Sequence, residues 1–168
     1  MNELTFNKLH TYAESIFRCD PNSIHGPAHW HRVEDTIMLI APETGADIVV
    51  GRLFAIFHDC CRLDDGSDLE HGPRAADLIS TILESHLQLN AAQGQALVYA
   101  VRHHTDGATS NDPTIGTCWD ADRLDLGRAG MIPSSEFMST FAGKEIAALG
   151  TKYLYMEKRG IKVKTALK

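Results

Sequence analysis

Several absences narrow the possibilities for this chain before any motif is considered. Its 168 residues contain no apolar run of about 18 residues, the length that a membrane span needs. The opening stretch MNELTFNKLHTYAESIF has neither the basic segment nor the continuous apolar core of a secretory signal. The expectation is a cytoplasmic protein with no membrane partner. Cysteine is scarce and unpatterned: Cys60 and Cys61 are adjacent, Cys19 and Cys118 stand apart, and no Cys-x-x-Cys zinc pair or disulfide-like framework occurs. The thiols are expected to be reduced. Positive charge is also in deficit. The last eleven residues, KRGIKVKTALK, hold five of the 16 basic groups and none of the 22 acidic ones, which leaves 11 against 22 in the rest, a net −11. No basic stripe with interleaved aromatics lies outside that tail, so polymeric nucleic acid is not an expected partner.

What remains is an ordinary globular composition, with 43% hydrophobic and 23% charged residues in a length suited to one core. Apolar spacing predicts helices throughout. Leu4, Leu9, Tyr12, Ile16 and Phe17 recur at mostly helical intervals across 3–18. Pro27 suits a first helical turn and Pro42 is expected beyond the end, which brackets a second helix at about 27–40. About Asp47 to Cys61 is apolar nearly all round, too long without alternation for a typical strand, and is read as a buried central helix. After the polar loop RLDDGSDLEHG, Pro73 opens a fourth helix to about Leu87. Asn90 is a plausible cap for a fifth reaching about Thr105. Asp112-Pro113 starts a sixth to about Leu126, and a last pair covers roughly 134–156. With no internal repeat and no linker, the expected fold class is all-α, a single compact multi-helix bundle over 1–168.

Ionisable residues on apolar helix faces are the candidates for chemistry, because an unpaired buried charge is costly unless it meets a partner or a metal. The central helix ends in FHDCCR, placing His58 and Asp59 after its apolar run. Asp122 continues the stripe Ile115, Cys118, Trp119; Asp120 falls off it, and Asp125 is ambiguous. His104 shares a face with Leu97, Ala100 and Val101. His29 shares one with Val33, Thr36 and Ile37, whereas His31 points elsewhere. Any one inward histidine is commonly a hydrogen-bonded core residue, and an inward aspartate can pair with Arg32, Arg102 or Arg123. Convergence of five such residues from four helices favours a shared site. His71, in the polar loop, is a further contributor. His86 lies a helix length away, roughly 20 Å at 1.5 Å per residue, and belongs to the core or a helix end.

The elements HWHRV at 29–33, FHDCCR at 57–62 and DADRLD at 120–125 resemble, in that order, the HD-domain superfamily of metal-dependent phosphohydrolases. The resemblance spans about residues 25–130. It implies a divalent metal, whether Mn, Fe, Ni, Mg or Zn, held by His29, His58, Asp59 and Asp122. It also implies that His71 and His104 contact phosphate, move protons or bind a second metal. Arg62, three residues after Asp59, is the candidate phosphate clamp, against a plain surface salt bridge to the acidic loop. The implied activity is hydrolysis of a small phosphate ester or nucleotide by a metal-activated water. Alternatives are a di-iron oxygenase of the same superfamily, a non-catalytic metal- or nucleotide-binding domain, and a Cys61 nucleophile. The Gly-Tyr-Pro element of the cyclic-dinucleotide hydrolases is missing, since TDGATSNDP follows His104.

Overall fold

The computed structural model describes residues 1–150. These hold seven α-helices and no strand: α1 (Glu3–Ile16), α2 (Pro27–Thr44), α3 (Ile48–Phe57), α4 (His71–Ile82), α5 (Ala91–His103), α6 (Pro113–Leu124) and α7 (Phe141–Leu149). The basic tail at 158–168 and the end of the segment expected at 134–156 lie outside the described residues.

Local chemistry explains most of the boundaries. Asn2, Asp47, Asn90, Asp112 and Thr140 cap their helices by accepting main-chain N–H bonds. Asn90 completes a capping box with Gln93. Gln93 Nε2 also donates to Asp47 Oδ2 at 2.8 Å, which ties the start of α5 to the start of α3. The α3 helix is buried almost all round, through Val50, Gly51 and every residue from Leu53 to Phe57. It packs against α2, α5 and α6, with α1 on its flank. A smaller cluster of Ile40, Leu124, Met138, Ala142, Ile146 and Ala147 seats α7 against α2 and α6.

Three expectations need correction. Pro42 lies inside α2, which runs on to Thr44 and stops at Gly45 with φ 74°. Pro42 and Met38 are both exposed, so the carbonyl that proline leaves unpaired four residues back is on the watered side of the helix. The fourth helix begins at His71 rather than at Pro73, and ends in a π-helical turn, Leu83–Leu87, with exposed His86 at its far end. Asp120, expected off the buried stripe, is fully buried. It accepts from Ser139 N at 2.6 Å, Thr140 N at 2.8 Å and Thr140 Oγ1 at 2.7 Å, and so anchors the start of α7. Asp120→Ala strands these donors and is expected to cost about 2–3 kcal/mol. A melting midpoint within error of the parent would contradict this anchoring role.

Candidate metal centre

Five helices bring their ends to one place. His29 lies in the first turn of α2 and His71 opens α4, while His58 and His104 are the residues at which α3 and α5 end. Asp59 follows His58, and Asp122 lies in the last turn of α6. The carbonyl ends of α3, α5 and α6 and the N-terminal ends of α2 and α4 therefore face the same region, where helix dipoles of both signs meet.

The geometry resolves into two groups that share Asp59. His29 Nε2 lies 3.1 Å from His58 Nε2 and 3.2 Å from Asp122 Oδ1. Asp59 Oδ2 stands 3.7 Å from His29 Nε2 and 3.6 Å from His58 Nε2. On the other side, His71 Nε2 and His104 Nε2 are 2.8 Å apart, and Asp59 Oδ1 lies 3.1 Å and 3.6 Å from them. His29, His58 and Asp59 form one set able to hold a metal ion, and Asp59, His71 and His104 form another. All five are buried, and the Asp122 side chain keeps only 17% of its exposure.

Proton positions follow from what lies behind each ring. His58 Nδ1 donates to the carbonyls of Phe54 and Ala55, His104 Nδ1 to that of Val101, and His71 Nδ1 to that of Asp68. His29 Nδ1 donates to Asp125 Oδ2 at 2.7 Å. Carbonyls and carboxylates only accept, so a neutral ring keeps its proton on Nδ1 and its lone pair on Nε2. Four Nε2 lone pairs thus converge with two carboxylates. Neutral imidazoles cannot hydrogen-bond to one another through two lone pairs, whereas a divalent cation accepts them all, so the donor set fits a metal.

Electrostatics divide the rings: against the effect of burial, Asp122 and Asp125 raise His29 and Asp59 raises His104, whereas His58 moves the other way. Burial pushes His58 down to about 3 despite nearby Asp59 and Asp122, which leaves it neutral and free to coordinate. Burial alone would raise the Asp59 carboxyl, but His58, His104 and His71 hold it well below its ordinary range. Asp122 is likewise lowered against burial, by His29 and His58.

Arg62 is buried, not on the surface. Its Nε donates to Asp59 Oδ1 at 3.1 Å and its NH1 to the carbonyls of Asp64 and Gly66, both at 3.3 Å. Arg74 fixes the same loop through Cys61 O and Asp68. All seven residues singled out in the sequence are therefore contiguous. Of the three arginines considered as partners for an inward aspartate, Arg32 binds Asp125, Arg102 binds Asp77, and Arg123 serves main-chain carbonyls. Cys60 and Cys61 lie Sγ to Sγ at 3.7 Å; the neighbouring thiol and burial raise Cys60 well above the usual range, whereas the Cys60 thiol, with Arg74, lowers half-buried Cys61, the nucleophile candidate.

Gly72 allows the second group to close. A Cβ there would meet the carbonyl oxygens of Val101 at 2.8 Å and Arg102 at 3.0 Å, and His104 Cε1 at 3.3 Å. Gly72→Ala is expected to push α4 off α5 and cost about 1–3 kcal/mol. Metal counts on that variant should show loss from the His71–His104 group first; an unchanged melting curve and count would show the approach to be unimportant.

Neither a family model nor a curated protein matches the chain. Among solved structures, a predicted HD superfamily hydrolase from an uncultured Thermotogales bacterium superposes with a TM-score of 0.69. The two are 22% identical, and the match covers 92% of this chain and 89% of that one. The helical bundle is thus the fold of that HD superfamily structure, in agreement with the resemblance carried by the HWHRV, FHDCCR and DADRLD elements.

Proposed function

We propose that the chain is a metal-dependent hydrolase of the HD type, acting on a small phosphate ester or nucleotide. The observation that supports this best is the convergence of four imidazoles on two carboxylates, buried Asp59 and half-buried Asp122, the first of which faces both groups. In this reading His29, His58, Asp59 and Asp122 hold one divalent ion, and Asp59, His71 and His104 a second. A bound divalent ion supplies a water acidified towards neutral pH and neutralises charge on a phosphoryl group.

The remaining work falls to the chain's own groups. Asp59 and Asp122 offset cationic charge. Arg62 already lies against Asp59, which puts a guanidinium beside the centre for a phosphate oxygen. With the second group empty, His104, which Asp59 raises against the effect of burial, would supply the proton for a leaving alkoxide.

The shared carboxylate also suits two irons, which supports the oxygenase as a second reading. Elemental analysis of the purified chain, followed by assays on phosphomonoesters and nucleotides, separates the readings. Phosphate release with at least one non-redox metal per chain is the expected result. Iron with O2 uptake would replace hydrolysis by oxidation, and bound metal with no turnover would make the chain a binding module.

A further inference from the structure

The four histidines of the centre are not fixed in the same way. His58, His71 and His104 each donate Nδ1–H to main-chain carbonyls. His29 donates instead to a side chain, Asp125, which follows the last residue of α6. Asp125 is itself gripped: Arg32 Nε reaches both of its oxygens, at 2.8 and 3.0 Å, from one turn beyond His29 on α2. Arg128 NH1 stands 3.9 Å from Oδ2, while Arg128 Nε donates to the Ile24 carbonyl just ahead of α2. With its side chain only 11% exposed, the carboxylate has little room to turn towards water.

We propose that Asp125, clamped by Arg32, is a positioning residue: it aims His29 Nε2 into the centre and so sets how tightly the group of His29, His58, Asp59 and Asp122 takes a metal. This rests on the metal-centre reading above. A neutral imidazole has one donor and one acceptor nitrogen, and an acceptor-only carboxylate behind Nδ1 keeps the donor there. A carboxylate in that place also increases the basicity of the opposite nitrogen, which tightens metal binding. Arg32 supplies what a lone carboxylate would lack. By engaging both oxygens it stops Asp125 from rotating away from His29 or swinging inward as a ligand. The group of Asp59, His71 and His104 has only main-chain acceptors behind its rings, so the effect is confined to the His29 side.

The test uses Asp125→Asn, which keeps the shape but can turn its NH2 towards His29 Nδ1 and release the ring proton to Nε2. Two readouts are needed. Long-range proton–nitrogen spectra of the metal-free protein, at alkaline pH where the rings are neutral, should place the His29 proton on Nδ1 in the parent. In the variant it should move at least partly to Nε2, with His58, His71 and His104 unchanged. Mn2+ titration against a competing chelator should show the site of His29, His58, Asp59 and Asp122 weakened about ten- to a hundredfold, with Asp125→Glu recovering part of the loss. A parent spectrum with the His29 proton on Nε2 would overturn the proposal, as would a folded Asn variant that binds Mn2+ within twofold of the parent. A parent that takes up no metal would defeat the metal reading and the affinity half of the proposal with it; the tautomer spectrum then shows whether Asp125 orients His29 at all.

Discussion

Asp59→Asn is expected to empty one of the two groups, to weaken the other, and to lower turnover of a phosphate substrate by more than about a thousandfold, the scale seen when one member of a group acting as a unit is removed. Asp59 faces both pairs of histidines, Oδ2 towards His29 and His58 and Oδ1 towards His71 and His104. An amide keeps one oxygen and replaces the other with an NH2 that cannot ligate a cation. Whichever way it turns, one pair of imidazoles loses its carboxylate. Asp122→Asn touches only the His29 side, so its effect should be smaller. The fold should survive, because α3 is complete before Asp59 and Arg62 keeps its bonds to the Asp64 and Gly66 carbonyls. Metal content after dialysis, kcat/KM and helical circular dichroism check this together. A folded Asn variant with parental turnover would remove Asp59 from the site, and with it the shared-carboxylate arrangement.

Much of this centre could be read from the chain because burial leaves a local trace. His29 and His31 are two residues apart, yet only His29 shares a face with Val33 and Ile37, and only His29 is buried. The run from Ile48 to Phe57 is apolar but for Gly51 and Arg52, and its reading as a buried central helix follows from that. What could not be read depends on partners distant in sequence. Asp120 falls off the apolar stripe of α6, and its burial has no local trace because its three donors lie 19 or 20 residues on, in a connection whose path over α6 has no periodic signal. Asp125 was ambiguous for a related reason. Its partners, His29 and Arg32, are more than 90 residues away on α2. His71 was placed in a loop because Pro73 marks a favoured first turn, whereas the helix starts two residues earlier, where Gly72 lets it close on the end of α5. Pro42 misled in the opposite sense, since a proline is tolerated late in a helix when the carbonyl it frees faces solvent.

Stripping metal from the loaded protein is expected to lower its melting midpoint by roughly 5–10 °C. An ion that binds the folded chain and not the unfolded one stabilises it by about 2.7 kcal/mol when free metal is a hundred times the dissociation constant. For a chain of this length each kcal/mol moves the midpoint by about 2–4 °C. The buried centre makes the unfolded chain a poor competitor, because its donors come from five helices spread over His29 to Asp122 and converge only on folding. The unfolded state therefore has no preformed site, and nearly all of the binding free energy counts towards stability. The same reasoning separates variants that change the centre from those that change only the scaffold. Asp120→Ala should melt lower than the parent yet keep its full response to Mn2+, since Asp120 binds Ser139 and Thr140 and no centre residue. Asp59→Asn should lose most of the response. A chelator that removes metal from the parent without moving its midpoint would mean that the ion is held at the surface, and not by the buried histidines.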